Sequence, residues 1–315
     1  MEIHCISNER ALLGESPVWS SKENAVYWVD ILGKKLHRTT PQNQETRTWE
    51  LPSFPGMIAL RRKGGLVIAL QDGIYGFDPR SAQLDPLVTL EADEPENRPN
   101  DGKCDKAGRL WVGTMNSVDA SRPTGNFYRI DPDLTVTKIR PKYRIPNGLA
   151  WNPNNNVMYH TDTPTNVVWS YKFDLSSGEC MVEREFYLFD REKTGSVDGA
   201  AMDMKGGYWA ALYGGRKLIR VSPDGNLDAE ILLPVSQPTM PSFGGPDLKT
   251  MFITSAYQNL DKGDLMSQPL AGGLLAISVN VQGHQVYPFR CEGERRSMAF
   301  NVHFSTKEPV KGIDV

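Results

Sequence analysis

Apolar and polar positions along this chain fall into short β-type runs, not into the i, i+3, i+4 spacing of amphipathic helices. Six runs rich in branched and aromatic side chains stand out: Val26-Tyr-Trp-Val-Asp30, Leu66-Val-Ile-Ala-Leu70, Leu110-Trp-Val-Gly-Thr114, Val157-Met-Tyr-His-Thr161, Tyr208-Trp-Ala-Ala-Leu212 and Met251-Phe-Ile-Thr-Ser255. Their first residues are 40, 44, 47, 51 and 43 positions apart. A second run follows each of them, as in Lys35-Leu-His-Arg-Thr39, Asn126-Phe-Tyr-Arg-Ile130 and Lys217-Leu-Ile-Arg-Val221. Asp-Pro, Thr-Pro or Ser-Pro then closes several of these strands.

A third, shorter run precedes the first at a nearly fixed distance: Glu15-Ser-Pro-Val-Trp19, Gly56-Met-Ile-Ala-Leu60, Asn100-Asp-Gly-Lys-Cys104, Asn147-Gly-Leu-Ala-Trp151 and Asp198-Gly-Ala-Ala-Met202. Tight turns come next, as in Asp105-Lys-Ala-Gly108 and Asp203-Met-Lys-Gly206, so Asp105 and Asp203 read as turn residues that bond their own backbone. Three to four strands repeated six times predict an all-β chain, a six-bladed β-propeller with a central channel. Runs of helical spacing are missing, as are GxGxxG and GxxxxGK[ST], which argues against an αβ-barrel or a doubly wound sheet. On this reading residues 1–290 form one propeller. Residues 2–6 supply a strand that closes the last blade, and residues 291–315 form a C-terminal tail.

Composition narrows the function classes. The chain has 315 residues, with 28 Gly and 22 Pro, an excess that suits many turns. A formal net charge of −3 offers no basic field for nucleic acid. No apolar stretch approaches the roughly 18–20 residues needed to cross a bilayer, so no membrane association is expected. Glu2, His4, Glu9 and Arg10 stand where a leader peptide needs apolar residues, and Cys5, Cys104, Cys180 and Cys291 form no CxxC pair. Both features point to a cytoplasmic protein with buried thiols.

The repeat also places chemistry. The innermost strand of each propeller blade lines the channel, so equivalent starting positions form a ring: Glu15, Gly56, Asn100, Asn147, Asp198 and, near it, Met240. Four of these six carry side-chain oxygens. Two carboxylates and two carboxamides at one mouth repel or desolvate at high cost without a cation. All-oxygen ligation suits a hard divalent ion, Ca²⁺, Mg²⁺ or Mn²⁺, and fewer than six protein ligands leave room for water or substrate.

Gly14-Glu-Ser-Pro17, Asn97-Arg-Pro-Asn-Asp-Gly102, Gly113-Thr-Met115, Pro146-Asn-Gly148, Thr161-Asp-Thr-Pro164, Asp198-Gly199 and Phe243-Gly-Gly-Pro246 together resemble the regucalcin/gluconolactonase family, over about residues 10–290. Phe243-Gly-Gly-Pro-Asp-Leu-Lys249 and Gln268-Pro-Leu-Ala-Gly-Gly273 look most like its bacterial sugar-acid lactonases. The resemblance implies one divalent cation held by Glu15, Asn147 and Asp198, with Ca²⁺ the first choice and Mg²⁺, Mn²⁺, Zn²⁺ or Fe²⁺ as alternatives. It implies a small sugar lactone as substrate, held by Arg98 and Asn100. Animal members place an acidic side chain after the Gly-Thr-Met segment, where this chain has Val118 with Asp119 beside it. Asp119 is thus the nearest counterpart of that substrate contact.

The implied reaction is hydrolysis of an aldonolactone, with the metal polarising the carbonyl and Asp198 as general base or as ligand only. Arg98 holds sugar hydroxyls or pairs with Glu94 or Glu96. His160 reads as a packed mid-strand side chain, and Asp162 as either a brace for the metal site or a turn cap. Trp28, Trp111 and Trp209 share one strand position and suit packing between blades. Met57, Tyr213, Phe243 and Tyr257 are candidates for the pocket wall. Two other readings stay open: a related metal-dependent hydrolase of other esters or phosphorus anhydrides, and a non-enzymatic calcium-binding propeller.

Overall fold

The computed structural model describes residues 2–292, and residues 293–315, most of the expected tail, lie outside the described residues. The repeats fold into six four-stranded antiparallel sheets, the blades of a propeller. Their innermost strands are Gly14–Ser20, Met57–Leu60, Asn97–Cys104, Pro146–Trp151, Ser196–Met202 and Pro238–Gly244. We number the blades 1 to 6 in that order. Blade 6 takes its outermost strand, Ile3–Cys5, from the start of the chain, with His4 opposite Ala276. This pairing ties the two ends of the ring together.

The outermost strands explain why three runs per repeat are easier to see than four. Blade 1 ends in Glu45–Glu50, whose residues alternate around a single buried Trp49, and blade 3 ends in Val136–Tyr143, which is mostly exposed. Pro86 and Pro141 sit in such edge strands, where a missing N–H disturbs no inner ladder.

The core is divided into six apolar clusters, one at each junction between neighbouring blades. Trp28, Trp111 and Trp209 are buried in these junctions. Their indole N–H groups donate to Thr39 Oγ1, Asp105 Oδ2 and Asp203 Oδ2. Asp105 and Asp203 also accept turn N–H groups, from Arg109 and from Lys205 and Gly207, and pair with the guanidinium groups of Arg109 and Arg220. The turn residues of the repeat are therefore also anchors of the blade junctions.

Past the last strand, residues 281–292 cross the far end of the channel. Backbone bonds join this strap to blade 5 (His284 N to Met202 O, 2.8 Å), blade 6 (Gly283 N to Leu248 O, 2.8 Å), blade 2 (Phe289 N to Leu60 O, 2.8 Å) and blade 3 (Arg290 N to Gly108 O, 2.9 Å). The strap runs past the expected boundary at residue 290, since Glu292 N donates to Pro132 O. His284, Gln285, Val286 and Tyr287 form the floor of an internal cavity of about 70 Å³, walled by Val18, Leu60, Cys104, Trp151, Met202 and Phe243.

Candidate functional site

Five of the six inner strands carry a β-bulge at the same level. Two residues face one across the ladder between Glu15 and Val18, Pro99 and Gly102, Asn147 and Ala150, Val197 and Ala200, and Pro238 and Pro241. A bulge bends its strand and re-aims side chains, so the ring of donors is set by backbone irregularity at one tier. At this tier Ser16 and Gly148 have left-handed backbone, φ 50° and 68°. A Cβ at Gly148 would also lie 2.4 Å from the Tyr208 hydroxyl. Blade 2 has no bulge, and its ring position is Gly56, where a Cβ would lie 2.2 Å from Pro99 O. It contributes no donor because the neighbouring backbone fills the space.

Arg98, Asn100 and Asn147 are joined by a chain of hydrogen bonds around the mouth that ends on the strand of Asp198. Arg98 Nη1 donates to Asn100 Oδ1 (3.0 Å), Asn100 Nδ2 to Asn147 Oδ1 (3.0 Å), Asn147 Nδ2 to Thr163 Oγ1 (2.9 Å), and Thr163 Oγ1 to Val197 O (2.9 Å). The last bond fixes the direction of all the others, because the Thr163 hydroxyl gives its only proton to a carbonyl and must accept from Asn147. Asn147 therefore keeps its amide oxygen on the Asn100 side, while both ends of the Asn100 amide are engaged.

Carboxylates hold the approaches to these strands. Asp30 accepts the N–H groups of Leu12 and Leu13 just before Glu15, and Asp162 accepts those of Arg144 and Ile145 just before Asn147. Asp162 thus braces the donor strand itself. Glu96 is paired with Arg122, and the Arg98 contacts lie within the site, to Asn100 and to Pro99 O.

The electrostatics are those of crowded acids. Burial, then the Asp101 carboxylate, pushes Glu15 up to about 8, against the pull of Ser16 N–H, Lys103 and Arg98. Burial, then Glu15 and Asp101, pushes Asp198 well above the usual carboxylate range. Burial lowers Arg98 to about 10, which leaves it cationic at neutral pH. Asp101 is a site residue that the ring register misses. It is 7% exposed, and its Oδ2 accepts Leu149 N of blade 4 (3.1 Å). In the sequence register the residue after the ring position is Ser16, Met57, Gly148, Gly199 or Pro241 in the other blades, and blade 3 alone places an acid there. Lys103 and Thr163 were also missed.

Asp119 is not brought into this cluster. It lies exposed on the loop after Asn116, and its carboxylate accepts Ser121 N and Ser121 Oγ. His160 is buried, stacked on Phe127 with ring centroids 4.3 Å apart and bonded to the Tyr143 hydroxyl; burial lowers it to about 3, so it stays neutral. Tyr213 reaches the mouth, where Gln258 Nε2 donates to its hydroxyl (3.1 Å); burial, and then the nearby Asp198 carboxylate, raises its pKa.

The donor set suits a hard cation. Among the described residues no group of three His, Cys, Asp or Glu side chains is placed to hold a metal by itself, so a cation here would need an amide oxygen as well. Glu15, Asp198 and Asn147 Oδ1 provide two carboxylates and one such oxygen. Both acids are raised first by burial and then by neighbouring carboxylates, an environment in which a bound cation would favour their charged forms.

The SMP-30/Gluconolactonase/LRE-like region matches residues 13–257 of the chain. A protein of Pseudomonas putida named 6-deoxy-6-sulfogluconolactonase is 37% identical over 281 residues, covering 89% of this chain and 96% of its own. Regucalcin of Gallus gallus is 33% identical over 295 residues, covering 92% and 98%. The crystal structure of a calcium-binding protein, regucalcin, from Agrobacterium tumefaciens superposes with a TM-score of 0.85 at 29% identity, over 91% of this chain and 96% of that one.

Proposed function

Because the chain belongs to the SMP-30/gluconolactonase/LRE-like family, we propose that it is a lactonase that opens sugar lactones to their aldonic acids with the help of one divalent cation. The observation that carries this reading is the convergence of Glu15, Asp198 and the Asn147 amide oxygen at one mouth, beside a guanidinium and a second amide. Glu15, Asn147 and Asp198 would hold the ion, for which Ca²⁺ is the first choice. When bound, such an ion polarises the ester carbonyl and acidifies nearby water.

The protein's own residues supply the rest. Asp198 receives a proton from the attacking water as the water oxygen bonds to the carbonyl carbon. The ring C–O bond then breaks, and that proton passes to the departing ring oxygen, which becomes a hydroxyl of the aldonic acid. Arg98 has N–H groups beyond those given to Pro99 O and Asn100, and its fork suits the vicinal hydroxyls of a sugar. Asn100 orients Asn147 in this scheme, since its own amide ends are engaged.

The test is lactone hydrolysis by metal-stripped protein before and after Ca²⁺, Mg²⁺, Mn²⁺, Zn²⁺ or Fe²⁺ is restored. A pH indicator would follow acid release from glucono-, xylono-, galactono- and arabinonolactone above the spontaneous rate. Hydrolysis that returns with metal is the expected result, and the ranking of sugars identifies the substrate. No rate above background with any of these ions, in folded protein that binds one of them, would overturn the proposal.

A further inference from the structure

Asp101 and Lys103 grip a single residue of the neighbouring blade by both its N–H and its carbonyl. The Asp101 carboxylate accepts Leu149 N–H, and the Lys103 ammonium donates to Leu149 O (2.8 Å) and to Ala200 O. Leu149 lies in the blade 4 bulge, so its carbonyl is not a ladder acceptor for the second strand. Leu149 stands two residues beyond Asn147, and Ala200 two residues beyond Asp198. The ammonium therefore sits deeper along the strands than the proposed ligands. The Asp101 and Glu15 carboxylates act on it, and Asp198 and the Arg98 guanidinium lie near those two.

Two carbonyl oxygens beside a carboxylate form a donor set that a hard cation would also occupy. We propose that Lys103 is a resident cation of the channel, filling the place of a second metal ion and holding the site above it to one exchangeable divalent ion. This rests on the reading of Glu15, Asn147 and Asp198 as a cation site, and deepens it. A lysine that merely strutted blades 3, 4 and 5 together would have the opposite signature. Losing a strut loosens the donor tier and weakens cation binding, whereas losing a fixed positive charge strengthens it.

Calcium titration of the full-length, metal-stripped protein by calorimetry, alongside thermal unfolding, separates the two. Lys103→Met should bind Ca²⁺ roughly tenfold tighter or take up a second ion, even as its unfolding temperature falls. Lys103→Arg, which keeps the charge, should stay within about threefold of the unaltered protein, and Asp101→Asn should weaken binding roughly tenfold. Unchanged or weaker binding by folded Lys103→Met would overturn the proposal. Should that variant fail to fold, Lys103→Gln decides, since its amide can still donate to Leu149 O but carries no charge: tighter binding supports the proposal, and unchanged or weaker binding overturns it. Absence of Ca²⁺ binding by the unaltered protein would overturn both this proposal and the cation site it rests on, whereas normal binding with no gain in Lys103→Met would remove only this one.

Discussion

At the mouth of the channel the inner strands present Glu15, Asn100, Asp101, Asn147 and Asp198; three or four residues further along, the same strands present Val18, Cys104, Trp151 and Met202. The first set lies in or beside bulges, crowds acids together and raises the pKa of Glu15 and Asp198. The second lies in regular ladder, packs as apolar wall and is floored by the strap of residues 281–292. One repeat thus serves both ends, and the difference lies in where its ladder is interrupted. Regular pairing directs side chains into blade junctions, while a bulge frees a tier to face the axis. Function and stability should then separate along each strand, and substitutions at the two ends should fail in different ways.

The largest effect expected is at the mouth. Asp198→Asn should lower kcat by about 10²–10⁴-fold with metal present, the range for removing a general base, while KM changes much less. The metal-free variant should unfold at no lower temperature than the unaltered protein, because a crowded carboxylate has been neutralised. Steady-state kinetics beside thermal unfolding check both; near-normal kcat would reduce Asp198 to no more than a ligand. Phe289→Ala is the counterpart at the far end. Phe289 is fully buried in the junction of blades 2 and 3 and anchors the strap through Leu60 O. Its truncation should cost about 3–5 kcal/mol in denaturant unfolding, with kcat unchanged in the folded fraction. A loss of kcat without a loss of stability would break the comparison.

A third prediction concerns pH. The folded protein holds Glu15 at about 8 against an ordinary 4.5, so between these values the folded state carries more of this proton than the unfolded state. Stability of the metal-free protein should therefore fall as pH rises from about 4.5 to 8, by up to about 1.4 kcal/mol per pH unit from this group. A cation that binds Glu15 displaces the proton, so Ca²⁺ affinity should rise across the same window and level off above it. Glu15→Gln should reduce both trends, leaving the part due to Asp198, and weaken Ca²⁺ binding by at least about tenfold. Calorimetry in buffers of different ionisation enthalpy counts the released proton, and a pH-independent affinity would contradict this account.

How much of this could be read from the chain alone depended on regularity. Inner-strand starts recur at nearly constant spacing from the next run, so Glu15, Asn100, Asn147 and Asp198 are legible as one ring in the sequence. Asp101 is not, because strand alternation assigns successive residues to opposite faces, and only a bulge lets Asn100 and Asp101 both serve the channel. Lys103 was equally hidden, since its ammonium bonds carbonyls on two other blades. The strap could not be foreseen for a different reason. Residues 281–292 have no periodicity of their own, and their backbone partners are turns of four blades scattered along the chain.

Asp119 gives the smallest expected effect and sharpens the boundary of the mouth. Sequence places it beside Val118, where the family resemblance implies an acidic substrate contact, yet its carboxylate closes a local turn through Ser121 and lies in solvent. A side chain already bonded to its own loop adds little attraction for a sugar, and exposed polar pairs contribute at most about 1 kcal/mol. Asp119→Ala should therefore raise KM for the preferred lactone by less than about twofold and leave kcat alone. Arg98→Ala, by contrast, removes a buried fork from the donor tier and should raise KM at least about tenfold, the scale of losing charged hydrogen bonds to a substrate. If Asp119→Ala raised KM as much as Arg98→Ala, the loop after Asn116 would have to close over bound sugar, and the mouth would extend beyond the bulged tier to the rim.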